Sequence, residues 1–436
     1  MDSFSTQWVS KIRSYPFLSV AILLCILYIL LNVVLHVAGV FSGPRFHDFS
    51  AYYDAARRFL HGYPLYDHLP QYERGQITSH PEYPEGMRWL YPPIIVLLFV
   101  PFTSLPLFVA GVLWDILSLL TIFVGVVSLL RALDVELGIV HYFLVGAMIL
   151  GFGPTITWLK LGQVSGLLAA SLCFAAAILN SKWKYNRKIS GCLTTIPALF
   201  KPYWAPAGAH LLRDRERLYG ATLFGLFIAG VSLAVFGITP HFDYVATIAG
   251  GKGWGAASAP SMWTATHFRP FYYIQPLVVK NALRISLILL VIWHSINTLD
   301  DGNMRVEWLS MALGFTLIPM VTPSVNTLQL NALVPAFIIA YVTESRAGET
   351  YVGRPSLVVL SFVLVHAHPY TVEFLAKFGP SHFPSMRSIS TFIPIIQPAL
   401  WGVLILFSLI LIRLHQLGDG TDGNLLKGNS FRNRFQ

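Results

Sequence analysis

Two charged residues sit where packing alone does not account for them. Asp48 is the second residue of the stretch HDFSAYYDAARRFLHGYPLYD, a few residues beyond a long apolar run. A carboxylate at a membrane surface can take a proton from a hydroxyl, which is the work of a general base. Asp48 or Ser50 could equally cap the helix that follows, since both residue types accept backbone N–H bonds at helix starts. Lys201, in PALFKPYWAP, is an ammonium set among prolines inside an apolar run. Such a cation is costly in a bilayer unless it is paired or faces a polar space, and it would suit a phosphate leaving group. Snorkelling of its long side chain to the interface is the competing explanation.

Weaker signals surround these two. Gln163 in LKLGQVSGLL, and Gln329 with Asn331 in TPSVNTLQLNALVP, are amides beside helix-breaking residues and could bond sugar hydroxyls. Hydrogen bonding between helices, at about 1 kcal/mol each, is the plainer role. Asp54 with Arg57 and Arg58 has helical i,i+3 and i,i+4 spacing, which reads as a solvated ion-pair face. In GGKGWGAASAPSMWTATHFRPFYY, His267 and Arg269 could orient a phosphate or hydroxyl. Trp254, Trp263, Phe271 and Tyr272 could stack on a sugar, or simply form an interfacial aromatic belt. The glycines there fail the phosphate-loop spacing. Asp300 and Asp301 fall in a short connector and are discounted.

The elements that hold these residues are membrane-spanning. Of the 436 residues 55% are hydrophobic and 12% charged, and the mean hydropathy is +0.60. The run Phe17 to Phe41 is long enough to cross the hydrocarbon core, for which about 20 residues suffice, and is read as retained rather than cleaved. Further apolar runs continue to Leu414, predicting an all-α bundle of roughly nine to twelve transmembrane helices. Residues 1–414 form one membrane domain, and residues 415–436 a polar, disordered tail. Two long polar stretches, 43–90 and 239–275, interrupt the pattern and are expected to carry short amphipathic helices and the function.

Charge sets the expected orientation. The net charge of +9 resides mostly in connectors, which suits topology and anionic-lipid contact rather than nucleic acid. Lys11 and Arg13 place the N-terminus in the cytoplasm and the loop 43–90 outside. The run Ile189 to Leu212 has basic residues at both ends, Lys182 to Lys188 and Arg213 to Arg217. It contains Pro197, Pro202 and Pro206, so either it is a re-entrant hairpin or it spans once against one basic cluster. Cys25, Cys173 and Cys192 lie in apolar runs without metal-like spacing and are read as free thiols.

Several pieces together carry a family resemblance. Asp48 to Asp67, with its paired alanines and Leu-x-Gly-x-Pro-Leu-Tyr-Asp, is followed by Tyr91-Pro92-Pro93 and by Pro101-Phe102-x-x-Leu105-Pro106. Gly162-Gln163-Val164, Lys201-Pro202 and Thr322-Pro323-Ser324 come later. The pattern resembles the GT-C superfamily, in particular polyprenyl-phosphate-mannose-dependent mannosyltransferases of actinobacterial and archaeal type. It departs from that family at Leu328 and Gln329, where histidines are often found.

The resemblance implies an inverting hexosyltransferase of the cell envelope, acting in glycolipid biosynthesis at the plasma membrane. A polyprenyl-phosphate-linked sugar, mannose, would be the donor, and a lipid or glycan hydroxyl on the outer face the acceptor. Asp48 would be the base, through an oxocarbenium-like transition state. Lys201, Tyr52, Arg57, Arg58, Tyr91, Gln163, His267, Arg269, Gln329 and Asn331 would bind substrate. No metal ligand set and no cofactor are inferred. A transporter, or a flippase or ligase of lipid-linked saccharides, is the rival reading, because a mid-membrane lysine and proline-broken helices also occur there.

Overall fold

A computed structural model describes residues 45–66, 89–249, 267–268, 270–271, 274, 276–297, 303–322, 325–347, 354–373 and 397–418. The expected first span, Phe17 to Phe41, lies outside these residues, as do Arg269, Trp254, Trp263, Tyr272, Asp300, Asp301 and the tail beyond 418. The described chain is helical apart from one antiparallel pair of two-residue strands, β1 (His267–Phe268) and β2 (Val325–Asn326). The expectation of an all-α membrane protein holds.

Six helices among the described residues are long and apolar enough to cross a bilayer. They include α2 (Leu107–Ala132), α7 (Arg215–Phe236) and α9 (Leu277–Asn297, apolar from Val278). The others are α10 (Met304–Val321), the continuous stretch Thr327–Ser345 that ends in α11 (Val334–Ser345), and α13 (Pro398–Gly418). α3 (Ile139–Gly151) and α4 (Gly153–Leu161) are apolar enough only as a pair, bent by 65° where Pro154 enters at the start of α4, which makes them either a broken span or a re-entrant loop. The apolar run from Tyr91 does not start a span: four prolines cut 91–106 into two 3-10 turns, Pro93–Leu98 and Val100–Ser104, and α2 begins only at Leu107.

α10 is the axis of the bundle, buried from Val306 to Val321. α2, α7 and α9 instead expose apolar faces such as Val112, Ile116 and Leu120, Leu223, Leu226 and Phe227, and Ile285 and Leu289. Lipid is the solvent those faces fit. Inside the bundle, Arg413 of α13 forks onto both carboxylate oxygens of Glu344 in α11 at 2.9 Å. A charge so deep is tolerable only with such a partner.

The segment between the two basic clusters is a re-entrant hairpin. α6 (Asn186–Phe200) runs inward, Lys201 is the turn with extended backbone (φ −133°, ψ 92°), and a 3-10 limb, Pro202–Arg213, returns. Its ends meet: Arg187 is ion-paired with Asp214, whose carboxylate also caps α7 by accepting from the Glu216 and Arg217 amides. The 15-residue α6 rises about 22 Å and the 12-residue limb about 24 Å. The two lengths match, so Lys201 lies at the apex, about 22–24 Å from the base of the hairpin. Gly191 of α6 and Gly220 of α7 let the helix backbones touch, since a Cβ at either would collide with the other helix. The base of the hairpin is stapled by alternating charges: Arg187 to Asp214 and to Glu307 (2.8 Å), and Arg217 to Asp214 (3.1 Å) and to Glu307 (3.5 Å).

A candidate site at the apex of the re-entrant hairpin

α1 (His47–Leu60) carries Asp48 in its first turn, near enough to the hairpin apex for its charge to act on Lys201. Its apolar stripe of Phe49, Tyr52, Tyr53, Ala55 and Ala56 is buried, with the Tyr52 ring stacked on Phe99 at 4.4 Å. The Phe46 amide donates to the Lys160 carbonyl at 2.9 Å, tying the start of α1 to the end of α4. α4 ends at Gly162 with φ +67°, and a Cβ there would lie 2.5 Å from Cβ of Phe49. Only glycine suits both that backbone and that contact.

Neither Asp48 nor Ser50 is the helix cap. The N-cap is Phe46 in left-handed conformation (φ 61°), with no side-chain cap bond, and Ser50 Oγ donates to the His47 carbonyl at 2.7 Å. Asp48 lies in the first turn, where the helix dipole favours an anion. One carboxylate oxygen is 3.0 Å from Nδ1 of His47, and the two side chains are 25% and 29% exposed. A partly open carboxylate beside an imidazole can accept a proton from an incoming hydroxyl.

Lys201 is 2% exposed, and its described contacts are neutral. Nζ donates to Oε1 of Gln163 at 3.2 Å and to Oγ of Ser165 at 3.3 Å, and stands 6.0 Å from the Trp204 ring centroid. Its third N–H has no partner among the described residues. Both ends of the Gln163 amide are engaged: Oε1 also accepts from Tyr52 Oη (2.8 Å) and the Val164 amide (3.1 Å), and Nε2 donates to Tyr91 Oη at 3.2 Å. Tyr52 and Tyr91 share a further bond of 2.8 Å. Burial raises both phenols well above their ordinary range, with the Asp48 charge adding to the effect. They act as neutral hydrogen-bonding groups. The field of Asp48 reaches Tyr52, Tyr91, Tyr203 and Lys201, so one cluster holds all five.

The second polar stretch also reaches the cluster. It begins with α8 (Thr239–Ala249), which has no buried residue and exposes Phe242, Val245 and Ile248. Tyr244 turns the other way, its ring 6.1 Å from Tyr66, and burial pushes its phenol up to about 12. Tyr66 in turn donates to the Tyr91 carbonyl at 2.7 Å. The stretch returns at His267, paired in β1 with Asn326 of β2, directly before the 3-10 turn Thr327–Leu333 that carries Gln329. Gln329 Nε2 donates to Tyr203 Oη at 2.9 Å.

Thus Asp48, Tyr52, Tyr91, Gln163 and Lys201 come together, with Gln329 joined to them through Tyr203. Other expected residues are held differently. Both ends of the Asn331 amide are engaged, accepting from Thr155 Oγ1 (3.1 Å) and donating to the Leu328 carbonyl (2.9 Å), so it ties its turn to α4. Asp54 and Arg58 are buried rather than on a solvated face, and Arg58 reaches the Leu65 carbonyl at 3.4 Å. Arg57 sits in the last turn of α1, partly exposed. Ser165, Tyr203, Tyr66 and Tyr244 were not singled out from sequence. Tyr203 and Ser165 had a usable signal, being polar residues two positions from Lys201 and from Gln163. Among the described residues no three His, Cys, Asp or Glu side chains converge as a metal site would need.

A sequence model of glycosyltransferase family 87 matches residues 89–323, more than half of the chain. That region contains Tyr91, Gln163, Lys201 and Tyr203, while Asp48 and Gln329 flank it. No curated protein and no solved structure matches the chain.

Proposed function

Because the chain belongs to glycosyltransferase family 87, a membrane family of GT-C type, we propose that it moves a hexose, mannose, from a polyprenyl-phosphate donor to a hydroxyl of a lipid or glycan acceptor. The observation that carries this reading is Lys201, a buried ammonium at the apex of a membrane hairpin, held only by neutral groups among the described residues and within the field of a partly exposed carboxylate. A cation held by neutral partners keeps most of its attraction for an anion. At an effective dielectric of about 20, a charge 4 Å away gains about 4 kcal/mol, several times a neutral hydrogen bond.

In this reading the acceptor oxygen attacks the anomeric carbon as the bond from that carbon to the phosphate oxygen breaks, inverting the centre. Asp48 takes the acceptor proton, and Lys201 stabilises the negative charge growing on the departing polyprenyl phosphate. Gln163 and Ser165 hold the ammonium in place, and Tyr52 and Tyr91 hold Gln163. Chemistry at the apex, opposite the basic base of the hairpin, supports a site on the outer face of the plasma membrane with a cytoplasmic N-terminus. Family membership favours this reading over a transporter or flippase.

Transfer of labelled mannose from polyprenyl-phosphate-mannose to membrane lipids and glycans, in reconstituted membranes, tests the proposal. The native protein is expected to transfer and a folded Asp48→Asn variant to lose the activity. A native protein that moves no sugar from this donor would overturn the donor assignment.

A further inference from the structure

Three buried amides lie around the apex, and they differ in how completely they are satisfied. Gln163 has partners at both ends, and so has Asn331. Gln329, 5% exposed, has its Nε2 fixed on Tyr203 Oη, while its Oε1 is buried and has no hydrogen-bond partner among the described residues. A buried carbonyl left without a donor is destabilising, so an unmet one beside a binding site points to a ligand that supplies the donor. The place fits. Tyr203 is two residues beyond Lys201 and within the fields of Asp48, Tyr91 and Tyr244. The strand pair His267–Phe268 with Val325–Asn326 brings the return of the second polar stretch to the residues just before Gln329.

Resting on the transferase reading above, we propose that Gln329 is a specificity-determining residue of the same site, its Oε1 accepting a hydrogen bond from one ring hydroxyl of the donor hexose while Tyr203 fixes the plane of the carboxamide. A phosphate oxygen cannot fill this role, because it has no proton to give to a carbonyl. A sugar hydroxyl has one. A site built to bond a hydroxyl rejects the analogue that lacks it far more strongly than an apolar pocket rejects a small change of shape, because the buried acceptor is then left unmet.

The test is competition between donors in one vessel, using the full-length protein in liposomes. The donors are polyprenyl-phosphate-mannose and its 2-, 3-, 4- and 6-deoxy analogues, and the readout is the ratio of products. The native protein is expected to disfavour one deoxy donor by about a hundredfold or more. Gln329→Met, which keeps the volume and removes the acceptor, is expected to cut that one ratio at least tenfold and leave the others unchanged. Tyr203→Phe is expected to cut the same ratio by less. Product ratios do not depend on how much of a variant folds, and Tyr203→Phe gives a second reading where Gln329→Met is poorly produced. Native transfer with all ratios unaltered in both variants would overturn the role of Gln329 while leaving the transferase intact. Absence of any native transfer would overturn the donor assignment, and with it this role of Gln329.

Discussion

Arg187 and Asp214, 27 residues apart in the chain, form an ion pair, and that contact makes the intervening segment leave one end of the bundle and return to it. Lys201 is thereby placed at the far point of the excursion, where Gln163 and Ser165 bond it, Tyr52 of α1 bonds Gln163, and Gln329 of the Thr327–Leu333 turn is joined to the hairpin through Tyr203.

Replacing Asp48 with Asn keeps the shape of the first turn of α1 and removes the carboxylate proposed as the proton acceptor. Turnover is expected to fall by about 10²- to 10⁴-fold, the usual contribution of a general base, with donor KM little changed. Steady-state kinetics in proteoliposomes checks this. An equal loss in an Asp54→Asn variant alone would point away from Asp48.

Lys201→Met separates stability from activity. A buried ammonium held by neutral groups is no asset to the fold, so an apolar residue of similar length should leave the thermal midpoint in detergent unchanged or higher, while transfer is abolished. A large fall in the midpoint together with lost activity would make Lys201 structural.

Gly162→Ala puts a Cβ on a residue at φ +67° and 2.5 Å from Phe49 Cβ. Left-handed backbone at a non-glycine residue costs about 1–3 kcal/mol, and overpacking adds about as much again. A lower denaturation midpoint is expected, with weaker transfer because α1 shifts and carries Asp48 with it.

Asp214 should make stability depend on acid. Burial would raise its carboxyl, but the hydrogen bond from Arg187 and the charge of Arg217 outweigh that and hold it below the ordinary carboxylate value. A folded-state value lower than the unfolded one gives stability that is complete above the unfolded value of about 4 and is lost as pH falls toward the folded one. Thermal midpoints taken from pH 6 downward should therefore fall below about pH 4 in the native protein. Asp214→Asn should start lower and lack that component of the slope.

Tyr52→Phe removes the phenol that donates to Gln163 at 2.8 Å and meets Tyr91 at 2.8 Å. Lys201 is then held less firmly, and a moderate loss of transfer, about tenfold, is expected with the fold intact, since the ring still stacks on Phe99. Tyr53→Phe, whose hydroxyl bonds the Leu105 carbonyl away from the cluster, serves as the control.

Much of this was readable in the chain, for identifiable reasons. Hydropathy is a sum over neighbouring residues, so the membrane class and most helices were visible locally. Lys201 stood out because a charge in an apolar, proline-broken run is costly wherever the run folds. Asp48 was visible as a carboxylate at a helix start, but whether it capped that helix depended on the backbone of Phe46, whose left-handed conformation takes the cap position for itself. The apolar residues from Tyr91 to Pro106 form no span, because proline spacing, rather than hydropathy, sets where a helix can begin.

By itself, then, the sequence determined that the protein lives in a bilayer, and that Lys201, set among prolines in an apolar run, needs a reason to be there. Tertiary structure alone decided that 187–214 is a hairpin, that Lys201 bonds Gln163 and Ser165, that both ends of the Asn331 amide are engaged while Gln329 Oε1 has no hydrogen-bond partner among the described residues, and that Tyr203 links Gln329 to the apex. The physical reason is that apolar burial and backbone breaks are properties of each residue and its chain neighbours. A hydrogen bond or an ion pair belongs to two residues at once, and bonds such as Lys201–Gln163, 38 positions apart, form only when the fold has brought both ends together.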